Sequence, residues 1–544
     1  MKNIRLFLIV ICIFLSVLTL CACAGGNPTN TTTSPDDYDD INATKITISQ
    51  DSASIKGVGA SATGADIRIG AQGTYILSGQ TSNGSIVIDA GKAEIRIVLE
   101  GVSITNTDGP AILVKNAKKV TFTLAEGTNN ILTDGDFYEI KEINSIVDGT
   151  IFAKSDLFFN GSGTLTVNGN NAHGIVSKDG LAIENGIINV NSKGAGVCGK
   201  DYIDIANVNL NVNAGTDGLR SDNITESSKG YITIKNGTFN ITCGNDAIQS
   251  HNNTKIEGGN FNIKTTSTDP LASAKGIKGT AGIEILGGTF VIDSIDDGVH
   301  SDGNVYINGG EISISSADDG IHANKELSIS NGNIKINQSY EGLEAMLINI
   351  SGGKIEINST DDGMNSAGGN DQSAGGDNFD GSNSGVSIMG GYTVIRSGAD
   401  GIDVVGPFSM SDGVLLVEGP SKEKSGAFDF GSTSLITGGV VVALGFSNTP
   451  ETFEQASQGV ALMENGGEYA ALDVISVCDG NGNVLFAFTP TKSFNGMIIS
   501  SPELQYTNAY TIYKNANVSG LDENGFARNT TQTGGEIVGP VVFQ

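Results

Sequence analysis

Paired aspartates followed by a glycine recur in the central part of this sequence. The stretch SIDDGVHSDGNVYINGGEISISSADDGIHANKELSIS at 294–330 contains Asp296-Asp297-Gly298 and, 22 residues later, Asp318-Asp319-Gly320. Neighbouring carboxylates can bind a divalent cation or serve as acid and base in hydrolysis. Which chemistry they support depends on the side chains that share each position of the repeat.

Counted from the glycine (Ala247 in one repeat), the sequence defines two polar columns, which we name the acid column and the outer column. The acid column, one residue before the glycine, comprises Asp217, Asp246, Lys275, Asp297, Asp319, Glu341, Asp362 and Asp400. Further acids precede this column at Asp296, Asp318 and Asp361. The outer column, two residues after the glycine, comprises Arg220, Gln249, Lys278, His300, His322, Glu344, Asn365 and Asp403.

The acid column predicts bound cations if the repeats stack. Equivalent positions of stacked strands lie about 4.8 Å apart, and two unit charges at that distance repel by roughly 3–4 kcal/mol at an effective dielectric constant near ~20. Protons or cations must relieve this repulsion, and calcium prefers such hard oxygen ligands. The predicted calcium ligands are Asp217, Asp246, Asp296, Asp297, Asp318, Asp319, Glu341, Asp361, Asp362 and Asp400. Lys275 would neutralise its neighbours locally.

Two other interpretations of these residues stay open. Asp-Asp-Gly is a favourable turn without any ion, because Asp bonds nearby amides and glycine accepts positive φ. His300 and His322 could take part in catalysis, but we favour exposed, stacked histidines that contact a ligand. Lys275, Lys278 and Arg220 are candidate bases for β-elimination. The acids recur over many repeats with none distinguished, which favours binding over turnover.

The spacing of the repeats predicts the architecture. Most successive glycine positions lie 21 or 22 residues apart, and aliphatic pairs such as Val305/Ile307 and Ile312/Ile314 alternate with polar residues. This alternation is typical of strands rather than helices. We predict an all-β parallel β-helix with about 22 residues per rung, in which inward aliphatic side chains stack between neighbouring rungs.

The repeat also divides the chain. We predict an irregular β-rich N-terminal cap over 45–135, a regular β-helix over 136–430 and a β-rich C-terminal end over 431–544. A Gly-rich insertion at 366–385 interrupts the regular part. It is either a surface bulge or a lid that supplies Asp371, Asp377 or Asp380 to the ions.

The N-terminus predicts export and anchoring. Lys2 and Arg5 precede an apolar run from Leu6 to Leu20, which is typical of a signal peptide. Leu20-Cys21-Ala22-Cys23 resembles a lipobox, so 1–23 is the predicted lipoprotein signal with Cys23 as the lipidated residue; an ordinary secretory signal is the alternative. Residues 24–44 form a polar tether. We expect an extracellular lipoprotein held at the membrane.

The amino-acid composition disfavours several classes of binding partner and a disulfide framework. The net charge of −29 argues against nucleic acid, whose phosphates require Lys and Arg. Cys198, Cys243 and Cys478 are too few and too separated for a disulfide framework, so we expect buried free thiols. The chain contains no Trp, which disfavours binding to flat crystalline cellulose. We expect a monomer.

Several segments resemble a known family. GTYILSG (73–79), GPAILVKNAKKVTFTLAEGTNN (109–130), GSGTLTVNGN (161–170), GADGIDV (398–404) and SGAFDFGSTSLITGG (425–439) resemble the bacterial β-helix carbohydrate-binding family. The resemblance implies a right-handed parallel β-helix similar to calcium-dependent polysaccharide lyases, calcium binding, and binding of cellulose-like or polygalacturonate polymers without established catalysis. Val176, Cys198 and Arg220 depart from the family, which often has lysine there.

Three functions follow, in order of preference. The first is a non-catalytic, calcium-dependent, surface-anchored polysaccharide-binding protein that favours acidic galacturonan-type or cellulose-like polymers. The second is a calcium-dependent pectate lyase or a polygalacturonase. The third is a structural or adhesive rod in which calcium only stabilises the fold. The predicted carbohydrate-binding residues are Arg220, Lys275, Lys278, His300, His322, Glu344 and Asp403.

Overall fold

The described part of the chain is all-β. A computed structural model of the protein describes residue 38 and the ranges 40–138, 146–269, 272–366, 383–421, 425–445, 451–463 and 469–543. These residues form strands and turns without an α-helix, and none of them belongs to a helix long and apolar enough to span a membrane. The predicted signal, Cys23, most of the tether, and Asp371, Asp377 and Asp380 lie outside the described residues.

Most strands belong to one long sheet, which pairs in register as three parallel ladders. The first ladder contains Asp66–Ile69, Ile86–Asp89, Ile112–Asn116, Gly149–Ala153, His173–Ser177, Val197–Gly199, Leu219–Ser221, Ile248–Ser250, Ile277–Gly279, Val299–Ser301, the first parts of Ile321–Ile329 and Leu343–Ile350, and Met364–Ser366, Ile402–Val404 and Phe428–Phe430.

The second ladder follows each first-ladder strand in the chain. It contains Thr44–Ser49, Gly73–Thr81, Glu94–Thr105, Lys119–Leu124, Asp156–Gly161, Gly180–Ile183, Tyr202–Ile205, Tyr231–Ile234, Asn253–Ile256, Gly282–Ile285, Asn304–Ile307, the later parts of Ile321–Ile329 and Leu343–Ile350, and Gly385–Ile388, Phe408–Met410, Ser434–Ile436 and Gln455–Ala456.

The third ladder completes each turn of the chain. It contains Asn129–Thr133, Thr164–Gly169, Ile187–Ser192, Val208–Ala214, Gly237–Cys243, Asn260–Thr265, Thr289–Ser294, Glu311–Ser316, Asn333–Gln338, Lys354–Asn358, Tyr392–Arg396, Val414–Glu418 and Val440–Gly445. This connectivity is that of a β-helix or similar solenoid, and it confirms the all-β prediction with a mostly parallel sheet. The right hand of the winding stays a prediction.

The ends depart from parallel pairing. Near the N-terminus, Ser52–Lys56 and Ala60–Thr63 form antiparallel pairs with Thr44–Ser49 and Asp66–Ile69. After Gln455–Ala456 the pairing becomes antiparallel, with Gly459–Met463 and Gly496–Ser501. A separate antiparallel sheet has the order Phe526–Thr530, Val484–Phe488, Ile475–Asp479, Tyr510–Lys514 and Glu536–Pro540, and Asn517–Val518 pairs with Gln532–Thr533.

The core explains why the repeat folds this way. The aliphatic pairs Val305/Ile307 and Ile312/Ile314 are buried and belong to one continuous apolar cluster that runs along the interior. Each strand therefore buries one face against the rungs beside it, as alternation requires. Cys198, Cys243 and Cys478 are buried free thiols, as predicted.

The recurrence of glycine at the turn before each strand of the first ladder has a steric cause. A Cβ atom added to Gly298 would lie 2.5 Å from Ile314 Cγ2 and 2.6 Å from the carbonyl oxygen of Gly320. Consecutive rungs are thus in close backbone contact at this point, because no side chain separates them. The acid column precedes this glycine in the chain and the outer column follows it, so both columns repeat from rung to rung with the glycine.

Candidate functional site

The outer column is aligned residue by residue on the first ladder. Arg220 pairs with Gln249, Gln249 with Lys278, Lys278 with His300 and His300 with His322. The alignment continues from His322 through Glu344, Asn365 and Asp403 to Asp429. The predicted stacking of equivalent positions is therefore confirmed on this ladder. We name the outer face of the first ladder, together with the acid column beside it, the groove.

The acid column links neighbouring rungs through hydrogen bonds from backbone amides to its carboxylates. Asp297 Oδ1 accepts the backbone N–H of Asp319 at 3.0 Å, and Asp319 Oδ1 accepts that of Glu341 at 3.3 Å. Asp362 Oδ1 accepts the backbone N–H of Asp400 at 2.8 Å. One carboxylate oxygen in each case satisfies an amide that the turn would otherwise leave unpaired. The acids therefore stabilise the turns, whatever else they bind.

The chain's own cations neutralise the first acids of the column. Arg220 Nη1 donates to Asp217 Oδ2 at 3.1 Å, and Lys278 Nζ lies 4.0 Å from Asp246 Oδ2. The buried Lys275 Nζ lies 2.7 Å from Asp296 Oδ2 and 2.8 Å from Asp297 Oδ2. The sequence-based expectation that Lys275 neutralises its neighbours is confirmed.

The pKa values of this first pair follow from the contacts. Burial alone would lower the pKa of Lys275, but the charges of Asp297 and Asp296 hold it above its ordinary value. Burial alone would likewise raise the pKa of Asp297, but Lys275 and the hydrogen bond with His300 bring it well below its usual range. Both groups are charged at neutral pH, and they form a buried ion pair.

The two histidines are buried, so the expectation that they are exposed is wrong. His300 is 3% and His322 is 7% exposed, and their rings stack with centroids 4.7 Å apart. His300 Nδ1 lies 2.7 Å from Asp297 Oδ2 and its Nε2 lies 3.0 Å from Asp302 Oδ1. Each ring is enclosed by the acid three residues before it, by the polar residue two residues after it, and by the other ring.

His322 is held as an imidazolium. Its Nδ1 lies 3.0 Å from Asp319 Oδ2 and 2.6 Å from Glu344 Oε2, while its Nε2 lies 2.8 Å from Asn324 Oδ1. Burial would lower the pKa of His322, but the hydrogen bonds to Asp319 and Glu344 raise it well above its ordinary value. Both ring nitrogens therefore donate, and the ring's single positive charge lies between two carboxylates. Burial, with the charges of Asp297 and Glu344, raises the pKa of Asp319 well above its ordinary value.

The acids Glu341, Asp362, Asp400 and Asp403 have no such cationic partner in either column. Burial and the charge of Glu344 raise the pKa of Glu341 to about 9. Burial, with the charges of Asp361, Asp400 and Asp403, raises the pKa of Asp362 to about 7. Burial and nearby carboxylates raise the pKa of Asp403 to about 6 and also raise that of Asp400. No lysine or arginine occupies either column from Glu341 to Asp403.

One carboxylate oxygen of Glu341 is buried and makes no hydrogen bond with any described residue. Glu341 is 5% exposed, and its Oε1 accepts a hydrogen bond from Asn365 Nδ2 at 2.8 Å. Its Oε2 is buried and has no hydrogen-bond partner among the described residues. A buried carboxylate oxygen without a partner is costly, and a cation or a proton would satisfy it. This atom and the raised pKa values together fit a hard cation.

Three residue groups have oxygen or nitrogen atoms within 4.8 Å of one another: Asp297/His300/His322, Asp319/His322/Glu344 and Asp296/Asp297/Asp318. In the first two, the histidine nitrogens are already bonded to carboxylates, and in the third Lys275 supplies the positive charge. Each of these groups therefore has at least one cationic partner within the chain, which offsets part of its negative charge. Glu341, Asp361, Asp362, Asp400 and Asp403 are the acids of the two columns and their flank that have no such partner among the described residues.

The predicted carbohydrate-binding residues divide by burial. Lys275, His300, His322 and Glu344 are buried in the ion pairs described above, so they present little surface to a polymer. Arg220, Lys278 and Asp403 are half-buried on the outer face of the same ladder. Of the predicted residues, only this second set has side-chain surface that a ligand could contact.

A pocket at the N-terminal end of the groove contains residues that the sequence analysis missed. His173, Lys178, Cys198, Lys200 and Arg220 line a cavity of about 430 Å³. The missed signal is positional, because Lys178 and Lys200 each follow a repeat glycine, Gly174 and Gly196, by four residues. Among the repeats marked by glycine only these two have lysine there, and the rungs that carry Lys115 and Lys154 at the same position have Ala111 and Thr150 in place of the glycine, so counting from glycine does not reveal the column.

Comparison with known proteins places the chain in a family. It matches the carbohydrate-binding domain-containing proteins over residues 63–320 and 316–459. The chain belongs to this family. A carbohydrate-binding domain-containing protein of Acetivibrio thermocellus is 36% identical over 182 residues, which are 32% of this chain and 62% of that relative. The chain thus spans less than two thirds of that relative's length.

One solved structure is similar to the chain over most of its own length. It is that of a polysaccharide lyase-like protein from C. thermocellum, studied as a gadolinium derivative. The match covers 57% of this chain and 96% of the other, with 26% sequence identity and a TM-score of 0.35.

Proposed function

We propose that this chain is a non-catalytic polysaccharide-binding protein, built on a right-handed parallel β-helix, which holds an acidic polymer of the galacturonan type along the groove with the help of calcium. The observation that carries this proposal is the run of uncompensated, partly or fully buried acids from Glu341 to Asp403. Membership of a carbohydrate-binding family supports the polymer as partner. The unpartnered Glu341 Oε2 supports the cation.

Calcium would be held by Glu341, Asp361, Asp362, Asp400 and Asp403. Their carboxylates supply the hard oxygen ligands that this ion prefers, and turn carbonyls lie beside them. When bound, calcium would supply positive charge that these acids lack and open coordination positions for a sugar carboxylate. Of the remaining predicted ligands, Asp217, Asp246, Asp296, Asp297 and Asp319 lie against Arg220, Lys278, Lys275 or His322 instead.

An acidic polymer fits this groove better than a neutral one. Its carboxylates recur along the chain, as the acids do along the groove, so cations between them would neutralise both sets. A cellulose-like polymer would instead need flat aromatic faces, and the groove columns contain none. The chain's net charge of −29 makes a bridging cation necessary for most of its surface to approach a polyanion.

The arrangement does not favour catalysis. A base for β-elimination must be able to accept a proton near the substrate, but Lys275 is 3% exposed and is held charged by Asp296 and Asp297. His322 already donates from both nitrogens, so it is not a free base either. No rung among the described residues combines an exposed base with an exposed acid in these columns.

We also propose that the protein works outside the cell as a monomer, held at the membrane through lipid on Cys23. The support is the apolar run before Leu20-Cys21-Ala22-Cys23 in the sequence. Labelling of cells with a radioactive fatty acid should mark the protein. Cys23→Ala should abolish the label and release the protein from the membrane fraction, whereas Cys21→Ala should leave both unchanged.

The proposal is tested by electrophoresis of the purified chain through gels that contain polygalacturonate, with calcium or with a chelator. We expect retardation with calcium and at least a tenfold weaker interaction with the chelator. The variant Glu341→Gln/Asp362→Asn should lose the calcium effect. Its matched control is Asp293→Asn, because Asp293 is exposed on the third ladder and paired with Lys264. No retardation under either condition would favour a structural rod.

A parallel assay addresses the enzymatic alternative. The chain is incubated with polygalacturonate and calcium, and ultraviolet absorbance of unsaturated products and the number of new reducing ends are followed. We expect neither to rise above a boiled control. Sustained product formation that is lost in Lys278→Gln would overturn the non-catalytic assignment.

A further inference from the structure

The pocket at the N-terminal end of the groove differs chemically from the acidic part. It contains Lys178, Lys200 and Arg220 in its lining, with Asp222 as the only acid there. Its volume of about 430 Å³ lies in the range of small-ligand sites. The lining thus has three cations and one acid, although the chain as a whole carries a net charge of −29.

The floor of the pocket is apolar. Val176, Cys198 and Arg220 occupy the same position of three successive rungs, in direct register. Val176 is 1% and Cys198 is 7% exposed, and burial raises the pKa of the Cys198 thiol to about 12. The thiol is therefore neutral and unreactive. Ile224 adds an apolar side chain to the lining.

His173 contributes a neutral donor. Its Nδ1 accepts the backbone N–H of Ala195 at 2.8 Å, which places the proton of the neutral ring on Nε2. Burial lowers the pKa of His173, so the neutral form persists at physiological pH. An N–H that can donate to a hydroxyl or carboxylate oxygen therefore belongs to the pocket lining.

The cations of the pocket are only partly satisfied. Lys178 Nζ lies 3.4 Å from Asp148 Oδ2, and Lys200 makes no ion pair with any described residue. Arg220 Nη1 bonds to Asp217, but its buried Nε makes no hydrogen bond, although Asp222 Oδ2 lies 3.4 Å away. This N–H has an ion-pair partner but no hydrogen bond, so it can still donate to a further acceptor.

We propose that this pocket binds the carboxylate of one uronic acid residue of the polymer directly, through Arg220 and Lys200, without calcium. The guanidinium suits a planar carboxylate, and the lysine adds a mobile point charge. The Nε2–H of His173 would donate to a sugar oxygen, and the apolar floor would lie under the less polar face of the ring. This inference rests on the proposed function and names a second, metal-independent mode of recognition within the same groove.

The test is titration calorimetry of the full chain with trigalacturonic acid in the presence of a chelator, so that calcium sites do not contribute. We expect one site. Arg220→Gln should weaken binding by about tenfold or more and Lys200→Gln by about threefold. Lys264→Gln, on the exposed face of the third ladder, is the matched control and should not change affinity. Circular dichroism checks that each variant is folded.

Lys200→Gln keeps the inference testable if Arg220→Gln, which leaves Asp217 without its cation, does not fold. Two further ligands define specificity: a neutral trisaccharide of galactose, which should not bind, and inorganic sulfate, which should compete only weakly. Unchanged affinity in Lys200→Gln and in a folded Arg220→Gln would overturn the pocket alone. Loss of polymer binding in calcium with intact trisaccharide binding would overturn only the calcium part of the proposed function.

Discussion

The two halves of the groove differ in whether cationic side chains lie beside their buried carboxylates. In the neutralised half, from Asp217 to Asn324, lysine, arginine and imidazolium side chains lie against the carboxylates at distances as short as 2.7 Å. In the acidic half, from Glu341 to Asp403, the same column positions hold carboxylates or amides only. Both halves bury their acids beside one short strand per rung.

The difference shows where charge compensation must come from. A buried carboxylate that is left without a counter-charge raises its pKa or binds a cation from solution. In the neutralised half Lys275 brings the pKa of Asp297 below its usual range, although burial still raises the pKa values of Asp217 and Asp319. In the acidic half no column cation opposes burial, and the pKa of Glu341 rises to about 9 and that of Asp362 to about 7. A repeated backbone therefore supports both an internally compensated region and a region that depends on its surroundings.

The largest expected effect concerns the buried cation of the neutralised half. Lys275→Met would leave Asp296 and Asp297 without their shared partner, at 3% exposure of the lysine. Removing one partner of a buried ion pair typically destabilises by about 3–5 kcal/mol. Urea unfolding followed by circular dichroism measures this loss. Lys264→Met, which removes an exposed ion pair, should lie within about 0.5 kcal/mol of wild type; equal effects in both variants would contradict the comparison.

The second prediction concerns calcium and the acidic half. Calcium at about one hundred times its dissociation constant should stabilise the native chain by roughly 2.7 kcal/mol, since it binds the folded acids in preference to the unfolded ones. Thermal unfolding with calcium and with chelator measures the difference. Glu341→Gln/Asp362→Asn should abolish it, whereas Asp217→Asn/Arg220→Gln in the neutralised half should retain it. A calcium effect that survives the first variant would place the ions elsewhere.

The third prediction is a pH dependence that calcium removes. Glu341, Asp362 and Asp403 have folded pKa values raised to about 9, 7 and 6, so the folded state holds more protons than the unfolded state above about pH 4. Their contribution is complete below that pH and is lost as pH rises through the folded pKa values. Without calcium we expect stability to fall from about pH 5 to about pH 8, by about 1.4 kcal/mol per pH unit for each group that is protonated only in the folded state.

Other groups act within or outside that pH window. His322, whose pKa is raised, adds to the fall, because its proton is lost from the folded state only at higher pH. His173, whose pKa is lowered, opposes the fall as pH rises toward about 6.5. Asp297 acts only under more acidic conditions, where its low pKa matters. Urea midpoints across pH, with calcium and with chelator, separate these contributions; a flat profile without calcium would contradict the prediction.

The sequence predicted the ladders better than it predicted the groove. Alternation such as Val305/Ile307 and a constant glycine interval are local signals, and they determine strand type and stacking directly. Burial of His300 and His322 depends on side chains from the rungs on both sides and from both flanking turns, which no single repeat displays. Compensation by Lys275 was visible because its position interrupts an otherwise acidic column.

The residues of the cationic pocket were missed for a related reason. Lys178 and Lys200 share a repeat position with Asp222, His251 and Asp302, so lysine does not recur there in the later repeats. Their proximity to His173 and Arg220 follows only from the stacking of three rungs. Because the residues of this pocket differ from those of the other repeats, a search for recurring residues does not identify them.

The smallest expected effect comes from giving the acidic half a cation of its own. Asp403 occupies the outer column and is half-buried, in register with Asn365 and Asp429, at the position that Lys278 holds in the neutralised half. Asp403→Lys should stabilise the calcium-free chain by about 1 kcal/mol, since an ammonium would replace one carboxylate among several. Asp403→Asn is the control that removes repulsion without adding charge, and it should give less than half of this gain. Urea unfolding with chelator measures both, and the lysine variant should also respond less to added calcium. If the lysine variant were no more stable than the asparagine variant, the absence of cations would not be what distinguishes the acidic half, and the burial of its carboxylates alone would account for their raised pKa values.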